Sequence, residues 1–205
     1  MIRVLRIPVC LMICSHFAAC APASAFDEAA ATTAASQQVV DAKEEIATKG
    51  ELDAATKKRI KTDVEQMNLA MIEDDFAKIV DLTHPKIVEM LGGRTKMITL
   101  METTTQEMRQ KGFAVLSSEV DDPSNFVAAG TELYVVVPHK MQMKAPGGKL
   151  AIKSFVIGFS IDEGKSWSYV NGDFDIKEVR QVLPNLPEAL KLPKRQKPVF
   201  EKEKD

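Results

Sequence analysis

The hydrophobic period of this chain changes from helical to strand-like near Gly112, and that change constrains the fold more than any other feature. Before it, apolar residues recur at helical spacing. Ile60, Val64, Met67 and Met71 fall at i, i+4, i+7 and i+11, one face of an amphipathic helix beginning near Glu51. Lys57, Lys58, Arg59 and Lys61 read as its solvated side. Glu73-Asp74-Asp75 interrupts, and Phe76, Ile79, Val80 and Leu82 predict a second, short helix. Thr83-His84-Pro85 predicts a third start, with Pro85 at the first helical position, where a missing N–H costs nothing. Gly92-Gly93 ends that helix. A fourth, over residues 95–111, carries the stripe Met97, Leu100, Met101, Thr104 and Met108, and Gly112 closes it.

Beyond Gly112 the period is strand-like. Residues 113–120 predict one strand, and 133–137 a second that continues through Pro138 to 144 with the proline at an edge or bulge. Ala145-Pro146-Gly147-Gly148 is a turn, followed by a third strand over 150–161. Asp162-Glu163-Gly164-Lys165 turns it into a fourth over 166–170. A short helix is predicted over 176–183, and then Pro184, Pro187, Pro193 and Pro198 mark extended chain able to cross the sheet before a charged tail. Helices followed by a meander predict an α+β domain, its N-terminal helices packed on one face of a curved, mainly antiparallel four-stranded sheet. The divisions that follow are a leader at 1–25, a flexible linker at 26–49, the domain at 50–183 and a tail at 184–205.

The leader reads as an export signal. Arg3 and Arg6 precede an apolar run over 7–19 that is too short to span a bilayer, and Ala23-Ser24-Ala25 offers a small-residue cleavage site. Phe17-Ala18-Ala19-Cys20 offers another. It resembles a bacterial lipoprotein box, in which the cut falls before Cys20 and that cysteine carries the lipid. One cut leaves a soluble periplasmic or extracellular protein. The other leaves an anchored one, and Cys20 is then the only expected link to a membrane. All 3 cysteines lie in or beside the leader, which excludes a disulfide, a thiolate metal site or a cysteine nucleophile from the processed chain. With Arg3 and Arg6 removed, 27 basic residues become 25 against 29 acidic, a net charge of −4. No basic stripe appears along the sequence, which argues against nucleic acid as a partner.

The order of elements over about residues 51–170, and above all "MIEDDFAKIVDLTHPKIVEMLGG", resembles the nuclear-transport-factor-2-like superfamily. The likeness implies a cone-shaped fold with a hollow between helices and sheet, and a function anywhere between enzyme and interaction module. It also implies that the free sheet face can pair two copies as a homodimer. Met97, Met101, Tyr134, Phe155 and Phe159 are the residues expected to line the hollow and to receive a small apolar ligand, unless the partner is a protein.

Three local patterns suggest chemistry. Ser160, Asp162, Gly164, Ser166 and Trp167 match the Asp-box pattern of sialidase propellers. One copy in a chain this short predicts a rigid hairpin and no propeller. His139, Met141 and Met143 alternate along a strand, a set of soft donors suited to Cu(I) or, more simply, core filling. His84 and His139 are the two histidines outside the leader, and either could serve as a general base if a carboxylate oriented it. The chain has no G-x-S-x-G elbow, P-loop, dinucleotide fingerprint or H-E-x-x-H, and no cofactor is implied. The expectation is an exported, non-catalytic binding or interaction module, with a small cofactor-free hydrolase or isomerase using His139 or His84 as the alternative.

Overall fold

The computed structural model describes residues 48–203. The leader with Cys20, and all but the end of the expected linker, lie outside the described residues. Among the described residues no helix is long and apolar enough to cross a membrane. The chain is α+β. The described residues open with β1 (Thr48–Gly50) and four helices, α1 (Ala54–Glu73), α2 (Phe76–Leu82), α3 (Pro85–Met90) and α4 (Arg94–Gln110). Then come β2 (Ala114–Val120), β3 (Phe126–Ala129), β4 (Glu132–Ala145), β5 (Gly148–Ser160) and β6 (Ser168–Asn171), followed by α5 (Ile176–Val182) and β7 (Val199–Lys202).

Local chemistry places these boundaries. Asp53 caps α1 by accepting the Thr56 N–H at 2.9 Å, and Asp75 caps α2 through the Lys78 N–H at 3.1 Å. Pro85 occupies the first turn of α3, with His84 as its cap. Gly112 takes φ +82° to turn α4 into β2, a backbone angle that favours glycine. Asp175 and Glu178 form a reciprocal capping box on α5.

The sheet is organised around one long hairpin, in which residues 133–145 of β4 pair with 148–160 of β5. Near the hairpin's open end β3 flanks β4, β1 flanks β3, and β6 flanks β5. Toward its tip, β2 flanks β4 and β7 flanks β5. Pro138 sits mid-strand without breaking the ladder. Its carbonyl accepts from the Asp121 N–H at 2.9 Å, just past the end of β2, so its missing N–H falls where the neighbouring strand stops.

Three cores follow from the faces. Val135 and Val137 share one face with Val156, Trp167 and Tyr169, and α1 lays Ile60 and Val64 against them. The opposite face carries Tyr134, Val136, Phe155 and Ile157, packed under Val179, Val182 and Leu183. A third core lies among the helices, where Met97 and Met101 of α4 meet Phe76, Ile79 and Val80 of α2.

The expected α+β class holds, with seven strands among the described residues where four were anticipated. β1, β3 and β7 span three, four and four residues, too few for an alternating pattern to register. The sheet is also covered on its second face. Leu186 and Leu190 are buried there, so the packed body runs on past residue 183.

Candidate functional site

Five stretches that the sequence keeps apart enclose a cleft of about 210 Å3. Pro138, Phe155 and their neighbours on β4 and β5 line it, and residues 193–196 of the chain between α5 and β7 border it. Asp121, just past β2, and Asp173, before α5, also contribute. Lys140, Lys153, Lys194 and Arg195 bring four cations to this opening. Lys140 lies 3.4 Å from Asp121 and 3.6 Å from Glu119, which holds its ammonium pKa above the usual value.

His139 and Ser154 face each other across the β4–β5 pair and both line the cleft. The Ser154 hydroxyl donates to the Asp173 carboxylate at 2.8 Å, which directs its proton away from His139. Asn68 of α1 approaches His139 Nδ1 at 3.2 Å. An amide nitrogen can only donate, so Nδ1 accepts and the ring proton sits on Nε2. Burial lowers the His139 pKa below its ordinary value, and the charge of Asp173 offsets this in part. The site therefore holds a neutral imidazole whose lone pair is already engaged.

His84 lies elsewhere. Its ring packs 5.0 Å from that of Phe159, and its Nδ1 accepts the Lys86 N–H at 3.2 Å as a helix cap. Burial first, and then the nearby Lys86 charge, lower its pKa. Tyr134 completes this group, with its ring 5.4 Å from Phe159 and its hydroxyl donating to Glu132.

The five residues expected to line one hollow are divided. Tyr134, Phe155 and Phe159 meet on the sheet face covered by α5, whereas Met97 and Met101 fill the separate helical core. The α4 stripe is apolar because it packs on α2, not on the sheet. Of the five, only Phe155 borders the His139 cleft, and none borders a second cleft of about 430 Å3 between β1, β3 and residues 189–191. His139, Met141 and Met143 do share a face of β4, and Met143 is buried. The engaged Nδ1 gives that trio no free imidazole donor while Asn68 holds it. Among the described residues no three His, Cys, Asp or Glu side chains gather as a metal site.

The Asp-box-like segment is a rigid hairpin. Asp162 accepts from the Ser166 N–H at 2.9 Å and from the Ser160 and Ser166 hydroxyls at 2.8 and 2.6 Å. Gly164 sits at φ +82°, its carbonyl accepts the Trp167 indole N–H at 3.1 Å, and Arg59 of α1 reaches the same carbonyl. These bonds, the Ser166 hydroxyl first, hold the Asp162 pKa at about 2 against an ordinary 3.8. A depressed carboxyl pKa stabilises the fold above pH 3.8, and that contribution is lost as pH falls through about 2. The difference in unfolding midpoint between the native chain and Asp162→Asn should therefore shrink from pH 4 to pH 2, followed through Trp167 fluorescence. A constant difference would show that the charge plays no part.

Sequence reasoning named His139 but missed Asn68, Ser154 and Asp173. Asn68 had a signal, since it lies four residues after Val64 on the buried side of α1, a polar side chain where an apolar one was due. The other two depend on the hairpin register. Comparison of the chain with family models, with curated proteins and with solved structures finds no match.

Proposed function

We propose that this chain is an exported, non-catalytic interaction module that grips its partner at the His139 cleft. The helices-then-meander order supports, as part of the same proposal, kinship with the nuclear-transport-factor-2-like superfamily. Export rests on the Arg-flanked apolar leader and its two small-residue cleavage sites. The observation that carries the binding reading is the character of the cleft. It is bordered by four cations and two carboxylates, contributed by five separate stretches of chain, which suits recognition of a polar surface better than capture of an apolar molecule.

The alternative, a hydrolase or isomerase, needs a histidine with a lone pair free to take a proton. Both His84 and His139 have Nδ1 accepting from an N–H donor, which leaves the ring proton on Nε2. Ser154 points its proton at Asp173. No nucleophile–base pair is assembled at either histidine.

A photo-crosslinking residue at position 153, compared with one at position 58, which is exposed and outside the cleft lining, tests the reading in the envelope fraction of the source cells. A discrete adduct at 153 that is lost in K194E/R195E supports it. Adducts that are absent, or equal at both positions, overturn it. Turnover of an ester or amide substrate that His139→Gln abolishes would replace it with the enzymatic alternative.

A further inference from the structure

The β4–β5 register brings lysines into direct opposition twice. Lys140 pairs with Lys153, and Lys144 with Lys149. Paired residues of an antiparallel ladder project to the same side about 5 Å apart, and residues four apart along a strand lie about 13 Å apart on that side. The four side chains therefore form a rectangle on one face, continuous with the face that α5 covers nearer the hairpin's open end. All four residues are exposed. Lys140 alone of the four forms an ion pair among the described residues, with Glu119 and Asp121. Like charges placed directly opposite destabilise a strand pair. Two such pairs on one hairpin are a local cost, and among the described residues only Lys140 offsets its share through ion pairs of its own.

Acids bound the rectangle on both flanks. On the β2 side Glu119 is the register partner of Lys140, and on the β7 side Glu201 is the register partner of Lys149. The positive strip is thus only two strands wide. Its inner end opens into the cleft where Lys194 and Arg195 add to Lys140 and Lys153. A broad anionic layer such as an acidic bilayer would press on Glu119, Asp121 and Glu201 as much as on the lysines. A narrow anion matches the strip and is kept in line by its acidic margins.

We infer that the partner of this face is an acidic peptide segment in extended conformation, lying along the β4–β5 hairpin with one end in the His139 cleft. This rests on the interaction-module reading and names the chemistry of its partner. An extended peptide with carboxylates at i and i+4 places both on one side about 13 Å apart, the separation of the two lysine pairs. A further acidic group reaches Lys194 and Arg195.

The test uses a fluorescein-labelled ten-residue peptide with acidic residues at every fourth position, followed by anisotropy at low salt. The single variant K144E is decisive because it reverses one charge and turns a like pair into an opposite one. Its melting temperature should rise slightly while peptide affinity falls about tenfold, a split that a purely structural role for Lys144 would not produce. Raising salt to about 0.5 M should weaken native binding by a similar factor. Unchanged affinity in K144E overturns the inference. Tighter binding to heparin, or to vesicles of acidic phospholipid, than to the peptide also overturns it. If the position-153 adduct forms but the peptide does not bind, the acidic-peptide inference falls while the interaction-module reading stands. If both fail, both fall.

Discussion

A chain ending at Leu183 should fail to fold, although the segment it lacks looks from its prolines like a dispensable tail. The missing residues include Leu186 and Leu190, which are 3% and 6% exposed and cover Tyr134, Val136 and Ile157. Deleting a buried leucine side chain costs about 2–5 kcal/mol, so losing two removes much of the roughly 5–15 kcal/mol that holds a typical domain together. The pairing of β7 with residues 148–151 goes with them. A chain ending at Leu192 keeps both leucines and gives up only the cleft border and β7. The expected order of urea midpoints, read through Trp167 fluorescence, is full chain, then the chain ending at 192, then the chain ending at 183, which is insoluble or unfolded. Equal midpoints for the two truncations would show that the leucines contribute nothing to the second layer.

The second large effect lies on the opposite face. Ile60→Ala should lower the stability by about 3–4 kcal/mol, within the range for emptying a fully buried aliphatic site. Ile60 is 0% exposed and, with Val64, is the part of α1 that seals Val135, Val137 and Tyr169. The neighbouring polar bond weakens with it, because the buried Tyr169 hydroxyl donates to Asp63, three residues further along the same helix, at 2.9 Å. Burial first, and then the Asp63 charge, push that phenol's pKa far above its ordinary value, so it remains a donor at any working pH. For a body of this size, 1 kcal/mol moves the melting temperature by about 2–4 °C, so a drop of about 6–16 °C is expected. Lys58→Ala, on the solvated side of α1, should stay within about 0.5 kcal/mol of the native chain. A drop under about 3 °C for Ile60→Ala would mean that α1 is not seated as described.

What the sequence revealed was what short-range periodicity can carry. Ile60 and Val64 announced the buried stripe of α1, and Thr83-His84-Pro85 announced the start of α3. What it concealed depends on long-range pairing. Met97 and Met101 announced an apolar stripe on α4, but not that the stripe faces α2. Leu186 and Leu190, spaced among prolines, follow neither period and were legible only as extended chain. The lysines were hidden most completely. Lys140, Lys144, Lys149 and Lys153 are spread over the fourteen residues 140–153 and form no stripe by inspection. They mirror one another about Pro146-Gly147, and only the hairpin register turns that mirror symmetry into a charged face.

Among the described residues, the outer strands β1, β2, β6 and β7 each carry a different device against sideways growth. β1 spans three of the described residues, and β2 carries an irregularity between Val115 and Ser117. The border of β6 is occupied by the chain entering α3, where Thr83 bridges Tyr169 and the His84 N–H reaches the Tyr169 carbonyl at 3.0 Å. β7 follows Val199 and Phe200 with Glu201 and Lys202, placing charge where another strand would dock. Edges trimmed in this way disfavour edge-to-edge stacking of one copy's sheet on another's, the contact from which fibrils grow.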